Sequence, residues 1–384
     1  MSFNRASQVR SLYIHWPFCP YKCSFCPFVA FSGWDRFMGE YHKALTRELK
    51  EFKKEITPQQ PLDTIYIGGG TPSTWPDELL LDTFATLESM FDFNSISEIT
   101  IEANPGTVCQ EQLDIWKKAG ITRLSIGVQS LDDAVLEKLN RNQKADDVRR
   151  LMKWADGKFN SLSIDLIVGL PGISEEQWKE QVLEIMTWPI QHISMYFLSI
   201  HEGTGLYFKL QRKNEILPPD DQTVDLYYWT IDMFAKHGFE QYEVSSFAKK
   251  GYESKHNQAY WDRKLYKGVG VGAWSFDGDC RFQNEKQLMR YIDALGQGDS
   301  ALSYKEKVTQ DEARFEIIML GLRKMSGVPI AQAIDGLCDK RREKFFEQVS
   351  MLKEKKFIEQ KGDRLFLTKT ALSVENEIAV KLSV

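Results

Sequence analysis

The chain has 384 residues, 42% of them hydrophobic and 27% charged, with a net charge of −5. That length exceeds one typical domain and supports a core that stands without disulfides. The mildly acidic balance gives no basic patch for nucleic acid or an anionic membrane surface, and no apolar run reaches the length of a bilayer span.

From the amino terminus, Met1-Ser2-Phe3-Asn4-Arg5 has neither the apolar stretch nor the cleavage site of a secretory leader, so a cytoplasmic protein is expected. Short β-rich runs then alternate with helical periodicity. Strands are predicted at Ser11–His15, Asp63–Ile67, Glu98–Ala103, Arg123–Val128, Ser161–Val168 and His192–Leu198. Helices are predicted between them at Arg36–Glu55, Asp77–Phe91, Gln110–Ala119, Asp132–Leu139 with Asp146–Asp156, and Glu175–Thr187. Such alternation implies parallel strands joined by crossover helices, and six units fit a partial (β/α)6 barrel better than a closed eight-unit one. The expected division is a core barrel over 1–237, a Gly- and aromatic-rich connecting region over 238–299, and a C-terminal domain over 300–384. The last combines helices with a hairpin around Lys361-Gly362-Asp363 and reads as winged-helix-like.

The chemically distinctive residues fall at the carboxyl ends of the predicted strands, where βα-barrels build their sites. Cys19, Cys23 and Cys26 follow the first strand with spacing C-x3-C-x2-C, enough to give one thiolate to each of three irons in a cubane cluster. The fourth iron is then left for a small chelating molecule. A zinc site would need a fourth ligand near by, and His15 is the local candidate; its place at the end of an apolar strand suits a hydrogen-bonded residue better. Cys109, Cys280 and Cys338 are isolated in sequence and read as ordinary thiols. The second strand ends in Gly68-Gly69-Gly70-Thr71-Pro72, whose backbone can approach a ligand closely. Glu102, Gln129 and Asp165 end the next three strands or lie late in them. Glu102, Asp165 and Arg141 are suited to contact the amino acid or sugar parts of a ligand.

Several of these segments together carry a resemblance. Tyr13-Ile14-His15-Trp16-Pro17-Phe18 with the cysteine loop, Ile67-Gly68-Gly69-Gly70-Thr71-Pro72-Ser73 and Glu102-Ala103-Asn104-Pro105-Gly106 are similar to the radical S-adenosylmethionine (SAM) family of oxygen-independent coproporphyrinogen III oxidase. Ser125-Ile126-Gly127-Val128-Gln129-Ser130 and Asp165-Leu166-Ile167-Val168-Gly169-Leu170-Pro171-Gly172 extend it over nearly the whole chain. The resemblance implies a [4Fe–4S] cluster on Cys19, Cys23 and Cys26 with SAM on its open iron. It also implies SAM contacts from Tyr13, Phe25, Gly69, Gly70, Thr71, Glu102, Gln129, Arg141 and Asp165.

Within the family the chain most resembles the haem-chaperone (HemW) branch rather than the oxidases. Oxidases continue the cysteine motif to a fourth cysteine, at the position held here by Phe28, and carry a longer extension before it. His256-Asn257-Gln258-Ala259-Tyr260-Trp261 matches the H-N-x-x-Y-W signature of the chaperones. That match implies haem binding, with His256 a candidate axial ligand, and delivery of haem to an acceptor protein, the chain itself standing alone or as a homodimer. The resemblance departs at Trp274, where the family has His, and at Trp16, where an aliphatic residue is usual.

Overall fold

The computed structural model describes residues 5–384; the opening residues 1–4, on which part of the leader reading rests, lie outside the described residues. At its centre stand six strands: β1 (Ser11–Trp16), β2 (Thr64–Gly69), β3 (Glu98–Ala103), β4 (Arg123–Gln129), β5 (Ser161–Val168) and β6 (His192–Phe197). They lie side by side in chain order, all parallel. Every predicted strand is present to within a residue or two. The predicted helices are also formed, at Met38–Lys53, Asp77–Glu88, Gln110–Lys118, Asp133–Lys138, Ala145–Ala155 and Glu175–Ile185.

The sheet does not close on itself. Beyond β6 it adds the antiparallel pair Ser246–Ala248 and Glu240–Glu243, and beyond β1 it adds Tyr266–Val269 as a further parallel strand. Antiparallel strands Trp274–Phe276, Cys280–Asn284 and Leu302–Lys307 complete a sheet of twelve. The segment expected to connect two domains is therefore woven into both edges of the barrel sheet, and the start of the expected third segment forms the outermost strand of one of them. The helix Asp220–Lys236 was not anticipated, although Pro218-Pro219 followed by two aspartates marks its start.

The strands alternate in an unusual sense. Their outer rows are aliphatic: Leu12 and Ile14, Ile65 and Ile67, Ile99 and Ile101, Leu124 and Ile126, Leu162 and Ile164, Ile193 and Met195, all buried in one continuous core. Burying each such side chain contributes roughly 1.5–3 kcal/mol. The inner rows are polar: Ser11, Tyr13 and His15 on β1, Thr64 and Tyr66 on β2, Glu98, Thr100 and Glu102 on β3, and Arg123 and Ser125 on β4. Ser161, Ser163 and Asp165 on β5 face inward with His192, Ser194 and Tyr196 on β6. The registers align these rows, pairing Glu102 with Ser125, Gly127 with Asp165, and Asp165 with Ser194. The barrel is thus held from outside by its helices, which leaves its inside free for a polar site.

Residues from Gln310 onward form helices Gln310–Arg323, Asp339–Glu354 and Glu375–Leu382 around a small three-stranded sheet. Its hairpin pairs Ile358–Lys361 with Arg364–Leu367, as the sequence predicts, and Val328–Pro329 joins its other side. This unit has its own apolar cluster, including Ile318, Val328, Phe345 and Leu365. Glu316 anchors it to the main sheet by pairing with Arg263 at 2.7 Å and Arg281 at 2.6 Å.

Candidate functional site

The carboxyl ends of the barrel strands open into a cavity of about 670 Å³ that brings together eleven of the expected residues. Cys19, Cys23, Cys26 and Phe25 line it from the cysteine loop. Gly69, Gly70, Thr71, Glu102, Gln129 and Asp165 line it from strand ends, and Arg141 completes the set from the segment after the helix Asp133–Lys138. Tyr13 stands behind this surface, stacked on Tyr66 with ring centres 6.2 Å apart and hydrogen-bonded through its hydroxyl to His15 Nδ1 at 3.0 Å.

The cysteine loop is fixed by its neighbours. Phe18–Cys19 pairs with Phe31–Ser32 at the loop's base. Inside it, Ser24 N donates to Leu139 O at 2.8 Å, and Lys22 Nζ donates to Phe28 O at 2.8 Å. His15 Nε2 lies 2.8 Å from Val29 O, so both of its ring nitrogens are engaged. His15 is a tether for the loop, as expected, rather than a metal ligand. Thr71 Oγ1 is 3.2 Å from Cys19 Sγ, and Arg141 Nη1 is 3.7 Å from Cys23 Sγ. Burial pushes the Cys19 thiol up to about 11 and also raises that of Cys26, so these thiols ionise only with compensation from a metal. Among the described residues no three donors converge on a single ion; a cubane spreads its thiolates one to each iron. The donor set, three soft thiols on one wall with a hydroxyl and a guanidinium beside them, fits a cluster.

The glycine turn is packed against that loop. Gly70 N donates to Trp16 O at 2.7 Å, and Thr71 N donates to Phe18 O at 2.8 Å. A Cβ on Gly70 would stand 2.7 Å from the Phe18 carbonyl oxygen. Gly69 has φ +118°, and a Cβ there would strike the His15 ring at 2.6 Å. The missing side chains therefore serve first to bring the β2 end against the cysteine loop, and only then to admit a ligand.

Glu102 is the best-defined acceptor. Its Oε1 accepts from Tyr66 OH at 2.8 Å and its Oε2 from Gly69 N at 3.1 Å. Burial pushes its carboxyl up to about 7, against the lowering effect of the Tyr66 hydrogen bond. Asp165 lies two strands away, with Ser125 Oγ 3.5 Å from its Oδ2, and is likewise raised by burial. Gln129 has φ +65° at a register shift between β4 and β5. A left-handed glutamine is strained, and strain of this kind collects at binding sites. Arg141 Nη2 donates to Gly127 O at 2.5 Å, and its Nε donates to Gln143 Oε1 at 3.0 Å, which fixes the guanidinium.

His256 sits elsewhere. Its helix, Lys255–Trp261, plugs the amino-terminal end of the barrel, with Lys255 N and His256 N both donating to the Glu98 carboxylate at 3.0 and 3.1 Å. The imidazole is fully buried; Nδ1 lies 2.8 Å from Thr64 Oγ1 and Nε2 lies 2.8 Å from Tyr260 OH. Burial lowers its pKa to about 3, so it is neutral. In this arrangement His256 offers no free nitrogen to a haem iron. The expectation of an axial ligand there is corrected by the packing: the ring is a bolt between the plug and β2. Asn257, next to it, lines the cavity instead. Trp274, in the position of the family's His, is 38% exposed on an outer strand and contacts Tyr304 with ring centres 5.8 Å apart.

Several lining residues were not singled out from sequence: Tyr66, Arg123, Ser125, Ser194 and Tyr196 on the inner rows, and Arg323 and Glu375 from the C-terminal unit. The inner-row residues follow from the period-2 polar alternation of each strand. No such signal marks Arg323 or Glu375, because their place depends on how the C-terminal unit docks.

Comparison with known proteins agrees with this geometry. Residues 13–184 match the Radical SAM superfamily, and residues 308–374 match the HemN C-terminal domain. The protein named heme chaperone HemW of Bacillus subtilis is 34% identical over 379 residues, covering 96% of this chain and 98% of its own. HemW of Lactococcus lactis is 31% identical, covering 97% and 96%. Among solved structures, coproporphyrinogen III oxidase (HemN) of Escherichia coli superposes with a TM-score of 0.86 over 99% of this chain and 91% of its own, at 24% identity, which establishes a shared fold. No helix among the described residues is long and apolar enough to cross a membrane. With three thiols at the mouth of a six-stranded barrel and relatives aligned end to end, this chain belongs to the radical SAM superfamily, in the family of the HemW proteins.

Proposed function

We propose that this chain is a cytoplasmic haem chaperone, which binds haem together with a SAM-coordinated [4Fe–4S] cluster and passes haem to an acceptor protein. The observation that carries the reading is position 28: Phe28 stands 64% exposed on the rim of the cavity, where oxidase-type loops place a fourth cysteine. The names of the full-length relatives support it.

Cys19, Cys23 and Cys26 would hold the cluster. When bound, it supplies one-electron reduction to the sulfonium of SAM. The protein's own groups do the rest of the work. Arg141, pinned by Gly127 and Gln143, sets a positive charge beside Cys23. Thr71 favours the Cys19 thiolate by hydrogen bonding. Glu102 and Asp165 place two acceptors on inner rows two strands apart, suited to the ribose hydroxyls and ammonium of SAM. Phe25 and Gln129 close the cavity around them, while Tyr13 supports the Tyr66 ring from behind.

The test is an anaerobic assay of reconstituted protein with coproporphyrinogen III, SAM and reductant, beside a haem titration. Haem binding with no protoporphyrinogen IX formed is the expected result. Decarboxylated product would make the chain an oxidase instead.

A further inference from the structure

The cavity has a second polar end, built by parts of the chain that lie outside the barrel strands. Asn257 comes from the barrel plug, Arg323 ends the helix Gln310–Arg323, and Ser373, Glu375 and Asn376 come from the last turn and helix. Arg323 is held in place: its Nε is 2.8 Å from Glu243 Oε2, its Nη2 donates to Ser245 Oγ at 2.9 Å, and its guanidinium rests 4.7 Å over the Trp261 ring. Glu375 is only 5% exposed, yet its Oε1 has no hydrogen-bond partner. An unsatisfied buried oxygen costs on the order of 1–3 kcal/mol, a cost that a ligand group placed there would relieve. Burial raises the Glu375 pKa, which keeps the carboxyl protonated over a wider range and able to donate. The same cavity is also lined by apolar side chains, Ile167, Phe197, Leu198, Val244 and Leu372.

A ligand matching this surface has a flat apolar body and an acidic edge. The geometry points to Asn257, Arg323 and Glu375 as the subsite for a propionate edge of a tetrapyrrole, whose macrocycle lies along those apolar side chains. This rests on the haem-binding reading above and adds where the haem sits and which residues orient it. The amide of Asn257, the guanidinium of Arg323 and the carboxyl of Glu375 all donate to the carboxylate. No bond is made or broken.

The test uses the full-length protein, titrated with haem and with haem dimethyl ester, which keeps the macrocycle and removes both carboxylates. The wild type should prefer haem by roughly tenfold to a hundredfold, the worth of one charge-assisted hydrogen bond. Asn257→Ala and Glu375→Leu should each reduce that preference while leaving ester affinity unchanged. Equal wild-type affinity for haem and ester, or full preference kept in both variants, overturns the subsite while leaving haem binding intact. Binding of neither compound overturns the haem-binding reading along with it. The comparison of the two ligands in the wild type stands whether or not the variants fold.

Discussion

Glu102 shows how one residue links burial to binding. Its carboxyl is buried against Tyr66 and Gly69 and is pushed up to about 7. The donors of SAM need the carboxylate form, so affinity for SAM should fall as pH drops from 8 to 6. Equilibrium dialysis of the reconstituted protein should show that slope in the wild type and a flat, weaker profile in Glu102→Gln. The thiols follow a different logic, because burial keeps Cys19 and Cys26 protonated until a metal compensates. A Cys23→Ser variant should hold well under half the wild-type iron and sulfide after anaerobic reconstitution. Unchanged contents would remove Cys23 from the cluster. The cysteine spacing was legible in sequence because it is local; the fixing of Arg141 beside Cys23 was not, since 118 residues separate the two.

At the scale of elements, the helix Lys255–Trp261 decides most. The H-N-x-x-Y-W motif implies a haem ligand at His256, yet the fold uses His256 and Tyr260 to seal the bottom of the barrel. Spacing within a motif says which side chains share a helix turn. It does not say which face meets solvent, and here the face is set by Glu98 and Thr64 on strands far away in sequence. His256→Ala removes two buried hydrogen bonds and leaves a cavity, an expected loss of roughly 2–4 kcal/mol. Urea unfolding should show it as a lower midpoint, with haem affinity of the folded protein preserved. Lost haem affinity at unchanged stability would return His256 to the iron. The strands themselves were legible, since continuous aliphatic outer rows mark them. Their polar inner rows carried a further signal, alternation with period two, that locates Tyr66, Arg123 and Ser194.

At the scale of the whole molecule, the polar barrel interior sets the response to acid. Burial lowers His256 to about 3 and His15 to about 4, and takes His192 well below its usual value. Each is neutral in the folded chain and binds a proton near pH 6.5 once unfolded. Their contribution to stability is full above pH 6.5 and is lost as pH falls toward 4 and then 3. Glu102 acts in the opposite sense: its contribution is present below about 4.5 and lost as pH rises through 7. Asp165 and Glu375, also raised by burial, act with Glu102; the expected net outcome, with the three histidines dominant, is a metal-free protein that loses stability between pH 6.5 and 4. Urea midpoints measured across that range check it; a flat or rising profile on acidification would mean that the histidines are not buried neutral.

The parallel barrel and the cysteine, glycine and carboxylate groups at its mouth were legible from the residues alone. These follow from periodicity and from short spacings, which act over a few residues. Tertiary structure alone decided that the 238–307 segment extends both edges of the sheet, that His256 faces inward, and that Arg323 and Glu375 wall the cavity. Those outcomes depend on pairings across tens to hundreds of residues, where buried polar groups take whichever partner the packing brings within hydrogen-bonding reach.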